Sequence, residues 1–180
     1  MIRLFVALRP PVGIRRFLLD AMGGIPGARW QNDEQLHLTL RFIGAVERPL
    51  AEDIAAALGG VHFPAPEIAV RGVGQFDRRG RPDAVWAGIY PHDALARLHR
   101  KIDHVLTRVG LEPERRAYLP HVTLARLNAG AGTTDRFLSL HADLSSPTFT
   151  PGHFLLYQST LGHAGARYEA VARYPFDPPA

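Results

Sequence analysis

Residues 37–44 read HLTLRFIG and residues 121–128 read HVTLARLN. Each stretch opens with histidine, an apolar residue, threonine and leucine. In an extended strand, alternate residues share a face. His37, Thr39 and Arg41 then point one way, with Leu38, Leu40 and Phe42 toward a core. In the second copy His121, Thr123 and Ala125 share one face. Val122, Leu124 and Arg126 take the other, unless the strand bulges. Histidine and threonine stand about 7 Å apart, at about 3.4 Å per residue. One such pair is the ordinary polar face of a half-exposed strand. Two copies with the same fourth residue ask for a common cause.

The flanking sequence supplies it. RLFVALR (3–9) is β-branched and aromatic, bounded by prolines, and predicts a strand. Ile14, Phe17, Leu18 and Ala21 then mark a helix face, stopped by GGIPGA at 23–28. The first motif strand follows. A second helix after Pro49 ends at Gly59–Gly60, and PEIAVRGVGQF (66–76) is strand-like. In the second half DAVWAGIY (83–90) is a strand. Leu95, Leu98, Ile102, Leu106 and Val109 mark a helix ending at Gly110, and the second motif strand follows. TTDRFLSLHA (133–142) predicts a short helix, and two strands close the chain. The order strand, helix, motif strand, helix, strand thus occurs twice, a repeat by pattern rather than by identity.

The expected fold class is α+β: a duplicated, bilobal fold with two antiparallel sheets facing across a central cleft, helices outside, and a pseudo-two-fold axis. The whole chain, 1–180, reads as a single bilobal domain with approximate lobes 1–80 and 81–180, allowing strands to be exchanged between them. The charged stretch DRRGRPD (77–83) reads as the linker between lobes or a mobile loop near the cleft.

Composition narrows little. The 46% hydrophobic and 21% charged content is that of a globular domain. No apolar run is long enough to span a membrane, and the N-terminus does not read as a secretory signal, so a cytoplasmic monomer with no membrane partner is expected. With no cysteine, disulfides and thiolate metal sites are excluded. The net charge is +4 and Lys101 is the only lysine, so arginine, the residue suited to planar contact with phosphate, supplies the base.

If the two motif faces meet across the cleft, the site holds two imidazoles and two hydroxyls. Two imidazoles can act as general base and general acid near neutral pH. Two hydroxyls can donate to the non-bridging oxygens of a phosphate. In-line displacement at phosphorus places attacking and leaving oxygens on opposite sides, as two histidines related by a two-fold axis would. A zinc site would need at least three protein ligands, and the motifs place two histidines. No metal and no cofactor are expected.

The paired His-x-Thr motifs resemble those of the two-histidine (2H) phosphoesterases, and more closely the LigT-like RNA 2′,3′-cyclic phosphodiesterases, formerly called 2′-5′ RNA ligases. RLFVAL (3–8), RW (29–30), GVGQF (72–76), Tyr-Leu-Pro-His (118–121) and LLYQSTLGHAGARYEAV (155–171) fit in the same order. The chain departs from the pattern after HVTLAR, with the small-residue loop LNAGAGTTD. The resemblance implies hydrolysis of a cyclic phosphate, at an RNA end or in a small nucleotide, to a 2′-phosphomonoester. It implies His121 as base, His37 as acid, and Thr39 and Thr123 on the phosphoryl oxygens. Arg41, by alternation, and Arg126, by its match to the family, are phosphate candidates. Tyr118 and Phe76 are candidates for stacking on a base. Phe42 reads as core, and His99 as lying on the polar side of its helix. The alternatives are RNA ligation at the same site and a non-catalytic RNA- or nucleotide-binding module.

Overall fold

The structure is a computed structural model and describes residues 1–163 and 165–178. Ala164, within the 155–171 stretch, lies outside them. Among the described residues the chain forms eight strands and four α-helices: β1 (Ile2–Leu8), α1 (Val12–Asp20), β2 (Arg29–Trp30), β3 (Leu38–Val46), α2 (Arg48–Leu58), β4 (Ala69–Arg78), β5 (Arg81–Tyr90), α3 (His92–Arg108), β6 (His121–Arg126), α4 (Asp135–Leu140), β7 (His153–Gly162) and β8 (Gly165–Pro175). The fold is α+β with antiparallel strand pairing throughout these elements.

Strand order is β4-β5-β6-β3-β1-β7-β8, with β2 added to β6. Four strands, β3-β1-β7-β8, make one half of the sheet. The other half is β4-β5-β6 with β2. The two halves meet where Leu38 of β3 pairs with Val122 of β6. The expected two sheets are therefore halves of one sheet, joined through the motif strands themselves. Pairing does not follow sequence halves: β4 joins β5, while β7 joins β1 and β8 joins β7.

The main core lies on one face of the sheet, under the helices. Leu95, Leu98, Ile102 and Leu106 form the apolar stripe of α3 and are fully buried against β3 and α2. Each such side chain contributes about 2 kcal/mol of burial. Gly110, at φ +102, ends this run in the left-handed conformation that suits glycine. β1 is central and buried on both faces. Leu4, Val6 and Leu8 enter the main core, while Phe5 and Ala7 join Leu155 and Tyr157 on the opposite face.

Residues 77–83 are not an irregular linker. Asp77 pairs with Pro82 and Arg78 with Arg81, so they form the tip of the β4–β5 hairpin. Arg79 (φ 54) and Gly80 (φ 77) are its two turn residues. Positive φ at both positions matches strand twist in a two-residue hairpin. Apolar strand residues run up to this stretch from both sides, so charge alone was a poor boundary signal.

Candidate active site

The Leu38–Val122 pair sets the register across the centre of the sheet. Because β3 and β6 are antiparallel, His37 stands opposite Thr123 and Thr39 opposite His121. All four side chains share the face away from the helices, since Leu38 and Val122 between them are buried in the main core. Directly opposed residues place their Cβ atoms about 5 Å apart. The twin motifs thus converge on one spot.

Both histidines are oriented in the same way. Nδ1 of His37 lies 2.7 Å from the carbonyl oxygen of Gln35. Nδ1 of His121 lies 2.7 Å from the carbonyl oxygen of Leu119. A carbonyl only accepts, so each Nδ1 carries the proton and each Nε2 is left as the reactive nitrogen. The carbonyl comes from two residues upstream in both copies. Because this is a backbone role, no side-chain identity announced it.

Aromatic rings wall in each imidazole. Phe5 lies 4.8 Å from the His37 ring centroid and Tyr168 meets it edge-on at 5.1 Å. Phe76 meets His121 edge-on at 4.8 Å, with Trp86 at 6.0 Å. Burial in this wall pushes the His37 imidazole down to about 4, helped by the positive charges of His121 and Arg126, while the Gln35 carbonyl opposes the shift. Burial lowers His121 as well; Arg126 adds to this and the Leu119 carbonyl opposes it. Both imidazoles are thus held toward the neutral form. Trp86 fits because its cross-strand partner is Gly74, where a Cβ would sit 2.3 Å from the indole.

The bulges decide the fate of the arginines. In β3, Thr39 pairs with Ala7 and Arg41 with Val6, which leaves Leu40 unpaired. In β6, Thr123 pairs with Trp86 and Ala125 with Val85, which leaves Leu124 unpaired. Each motif therefore bulges at its leucine, and alternation resets after it. Arg41 turns inward. Its Nε donates to Asp103 of α3 at 2.6 Å, and its terminal nitrogens donate to the carbonyls of Phe42 and Glu112. It is 7% exposed. These contacts hold its guanidinium in structure, contrary to the phosphate role that alternation implied. Phe42, expected in the core, is instead 40% exposed, with the Arg3 guanidinium over its ring. Arg126 swings out onto the face of His121, where its charge acts on both histidines.

A cleft of about 700 Å³ opens here, lined by Thr39, His121, Arg126, Phe42, Phe76 and Tyr118 among others. His37 and Thr123 lie on the other side of the Leu38–Val122 pair from Thr39 and His121. The volume suits a single nucleotide. Phe76 is half-buried and lines the cleft beside His121 rather than sitting in the core. Tyr118 has one face stacked on His99 at 4.3 Å, and its hydroxyl donates to the Thr39 carbonyl at 3.1 Å. His99 is buried rather than solvated, with Nδ1 2.6 Å from the Leu40 carbonyl. Tyr118 and His99 thus satisfy the two carbonyls at the β3 bulge. Among the described residues no group of three or more His, Asp or Glu side chains is placed to hold a metal ion.

Two imidazoles and two hydroxyls on twin strands about a two-fold axis define a phosphoesterase of the two-histidine kind. The model of the 2′-5′ RNA ligase superfamily matches residues 14–163, and the chain belongs to that superfamily. An RNA 2′,3′-cyclic phosphodiesterase of Aeropyrum pernix is 34% identical over 152 residues, covering 82% of this chain and 85% of that protein. One from Thermotoga maritima is 29% identical over 157 residues, covering 84% and 81%. The crystal structure of Escherichia coli LigT complexed with NADP+ has the same fold, with a TM-score of 0.77, 22% identity and 98% of both chains covered.

Proposed function

We propose that this protein hydrolyses 2′,3′-cyclic phosphates, at RNA ends or in nucleotides, to 2′-phosphomonoesters. One observation carries the reading: both Nδ1 atoms are tied to carbonyls at 2.7 Å, which frees two Nε2 atoms on one face of the sheet. Thr39 and Thr123 hold the non-bridging oxygens. His121 Nε2 takes a proton from water as its oxygen attacks phosphorus. His37, protonated at Nε2, gives that proton to the 3′ oxygen as the P–O3′ bond breaks. The product keeps its phosphate on the 2′ oxygen, and proton exchange with solvent resets both imidazoles. The anionic phosphate favours the protonated form of His37 that the free site resists. Arg126 supplies a fixed cation beside the same phosphate. No step needs a metal. Positioned acid and base contribute about 10²- to 10⁴-fold.

The family's name favours a second reading at the same site. A 5′-hydroxyl in place of water would yield a 2′-5′ linkage, and in water hydrolysis dominates. One chain supplies both motifs, which supports action as a monomer, and the cytoplasm is the proposed compartment. The two relatives are RNA 2′,3′-cyclic phosphodiesterases by name, which supports RNA as substrate. The test is turnover of 2′,3′-cyclic AMP by chelator-treated protein, with the product isomer identified. 2′-AMP is expected. A 3′-AMP product would contradict the assigned leaving group, and no turnover of this substrate or of a cyclic-ended RNA would favour a binding module.

A further inference from the structure

The cleft continues into a second groove over the tip of the β4–β5 hairpin. Arg78, Arg79, Arg81 and Arg126 line it, with Asp83 as the carboxylate among them. Arg78, Asp83 and Arg126 border both the groove and the cleft, so the two are continuous. Four guanidinium groups against one carboxylate make a strongly positive path that begins beside His121.

None of these four guanidinium groups is tied down by a hydrogen bond or ion pair among the described residues. Among the described residues, arginine side-chain hydrogen bonds and ion pairs are made by Arg9, Arg15, Arg41 and Arg116. Residues 77–81 are all exposed, so the hairpin tip projects without joining the core. Its turn is also written against local preference. Arg79 is the one non-glycine residue at positive φ among the described residues, at a position that favours asparagine or glycine. A bulky cation held there against its backbone preference points to a ligand outside the fold.

We infer that this hairpin tip binds the phosphates upstream of the cyclic end of a single RNA strand. The inference rests on the reading of the cleft as a cyclic phosphodiesterase, and deepens it: the substrate is an oligonucleotide, with a mononucleotide filling only part of the site. The terminal nucleotide occupies the cleft. The strand leaves past Arg126 and Arg78, and its next phosphates meet Arg79 and Arg81. Such contacts go to the backbone, so they add affinity without base preference.

The test is the double variant Arg79→Asn, Arg81→Ser. Asparagine tolerates the left-handed turn, and neither residue lines the catalytic cleft. Two substrates are compared: 2′,3′-cyclic AMP, and an RNA of about ten nucleotides ending in a 2′,3′-cyclic phosphate. The RNA's KM should rise about tenfold with kcat held, while kcat/KM for cyclic AMP stays unchanged. Anisotropy titration with the same RNA ending in a 2′-phosphate should show a flatter salt dependence. The slope of log K against log salt should fall by about 1.4, or about 0.7 for each phosphate no longer neutralised. Equal changes for both substrates, or no change for either, would overturn the inference. If the wild type turns over neither substrate, the cyclic phosphodiesterase reading fails. The titration then judges the hairpin alone: weakened affinity and a flattened slope uphold it, and unchanged values overturn it.

Discussion

Leu40 and Leu124, the fourth residues of the two motifs, occupy the same β-bulge in two different strands. The shared leucine is thus a structural device. It keeps the histidine and threonine on one face of the sheet while the residue after the leucine turns into the core. The two copies then part ways. The first sends an arginine, Arg41, inward and Phe42 outward. The second sends Ala125 inward and an arginine, Arg126, outward.

This predicts opposite phenotypes for two arginines. Arg41→Ala leaves the Asp103 carboxylate with only the Glu114 N–H as donor among the described residues and should cost about 3 kcal/mol. That is a Tm drop of about 6–12 °C for a chain of this size. Arg126→Ala should leave Tm nearly unchanged and lower kcat/KM about 10- to 100-fold. Thermal melts and steady-state kinetics on the two variants check both.

Gly74 makes room for Trp86, and Trp86 packs near His121. Gly74→Ala should push the indole aside at a cost of about 1–3 kcal/mol. It should also lower kcat, because the wall that orients His121 moves. Denaturant unfolding and turnover of the same sample measure the two effects together.

Tyr118 ties the β3 bulge through its hydroxyl and stacks on buried His99. Tyr118→Phe keeps the stack and should cost about 1 kcal/mol. Tyr118→Ala removes the stack as well as the hydrogen bond and should cost about 3 kcal/mol or more. A variant pair of equal stability would contradict this role.

Both motif imidazoles are held below the usual histidine value of 6.5, mainly by burial. Between that value and the depressed native one, the unfolded chain binds more protons than the folded one. Their stabilising contribution is therefore complete above pH 6.5 and is lost as pH falls toward about 4 for His37. Unfolding free energy should decline over that window, and His37→Asn should flatten the decline. A slope unchanged by the substitution would contradict the burial of this ring.

The sequence made the duplication, the strands and the four motif side chains legible, because alternation and repetition survive in one dimension. It misassigned Arg41 and Phe42 because a bulge resets alternation without leaving a residue signature. Leucine at 40 and 124 looked like core, and it is core. Phe5 and Tyr168 went unread as active-site walls because apolar residues in strands default to the interior. His99 was misread because its acceptor, the Leu40 carbonyl, is freed by that same bulge.

The central claim is that two pseudo-equivalent histidines perform one proton-transfer reaction. His37→Asn and His121→Asn, each assayed on 2′,3′-cyclic AMP, test it most directly, with 2′-AMP binding measured in parallel. Each substitution should lower kcat about 10²- to 10⁴-fold while product binding changes less than about tenfold. Wild-type kcat in either variant would contradict the account.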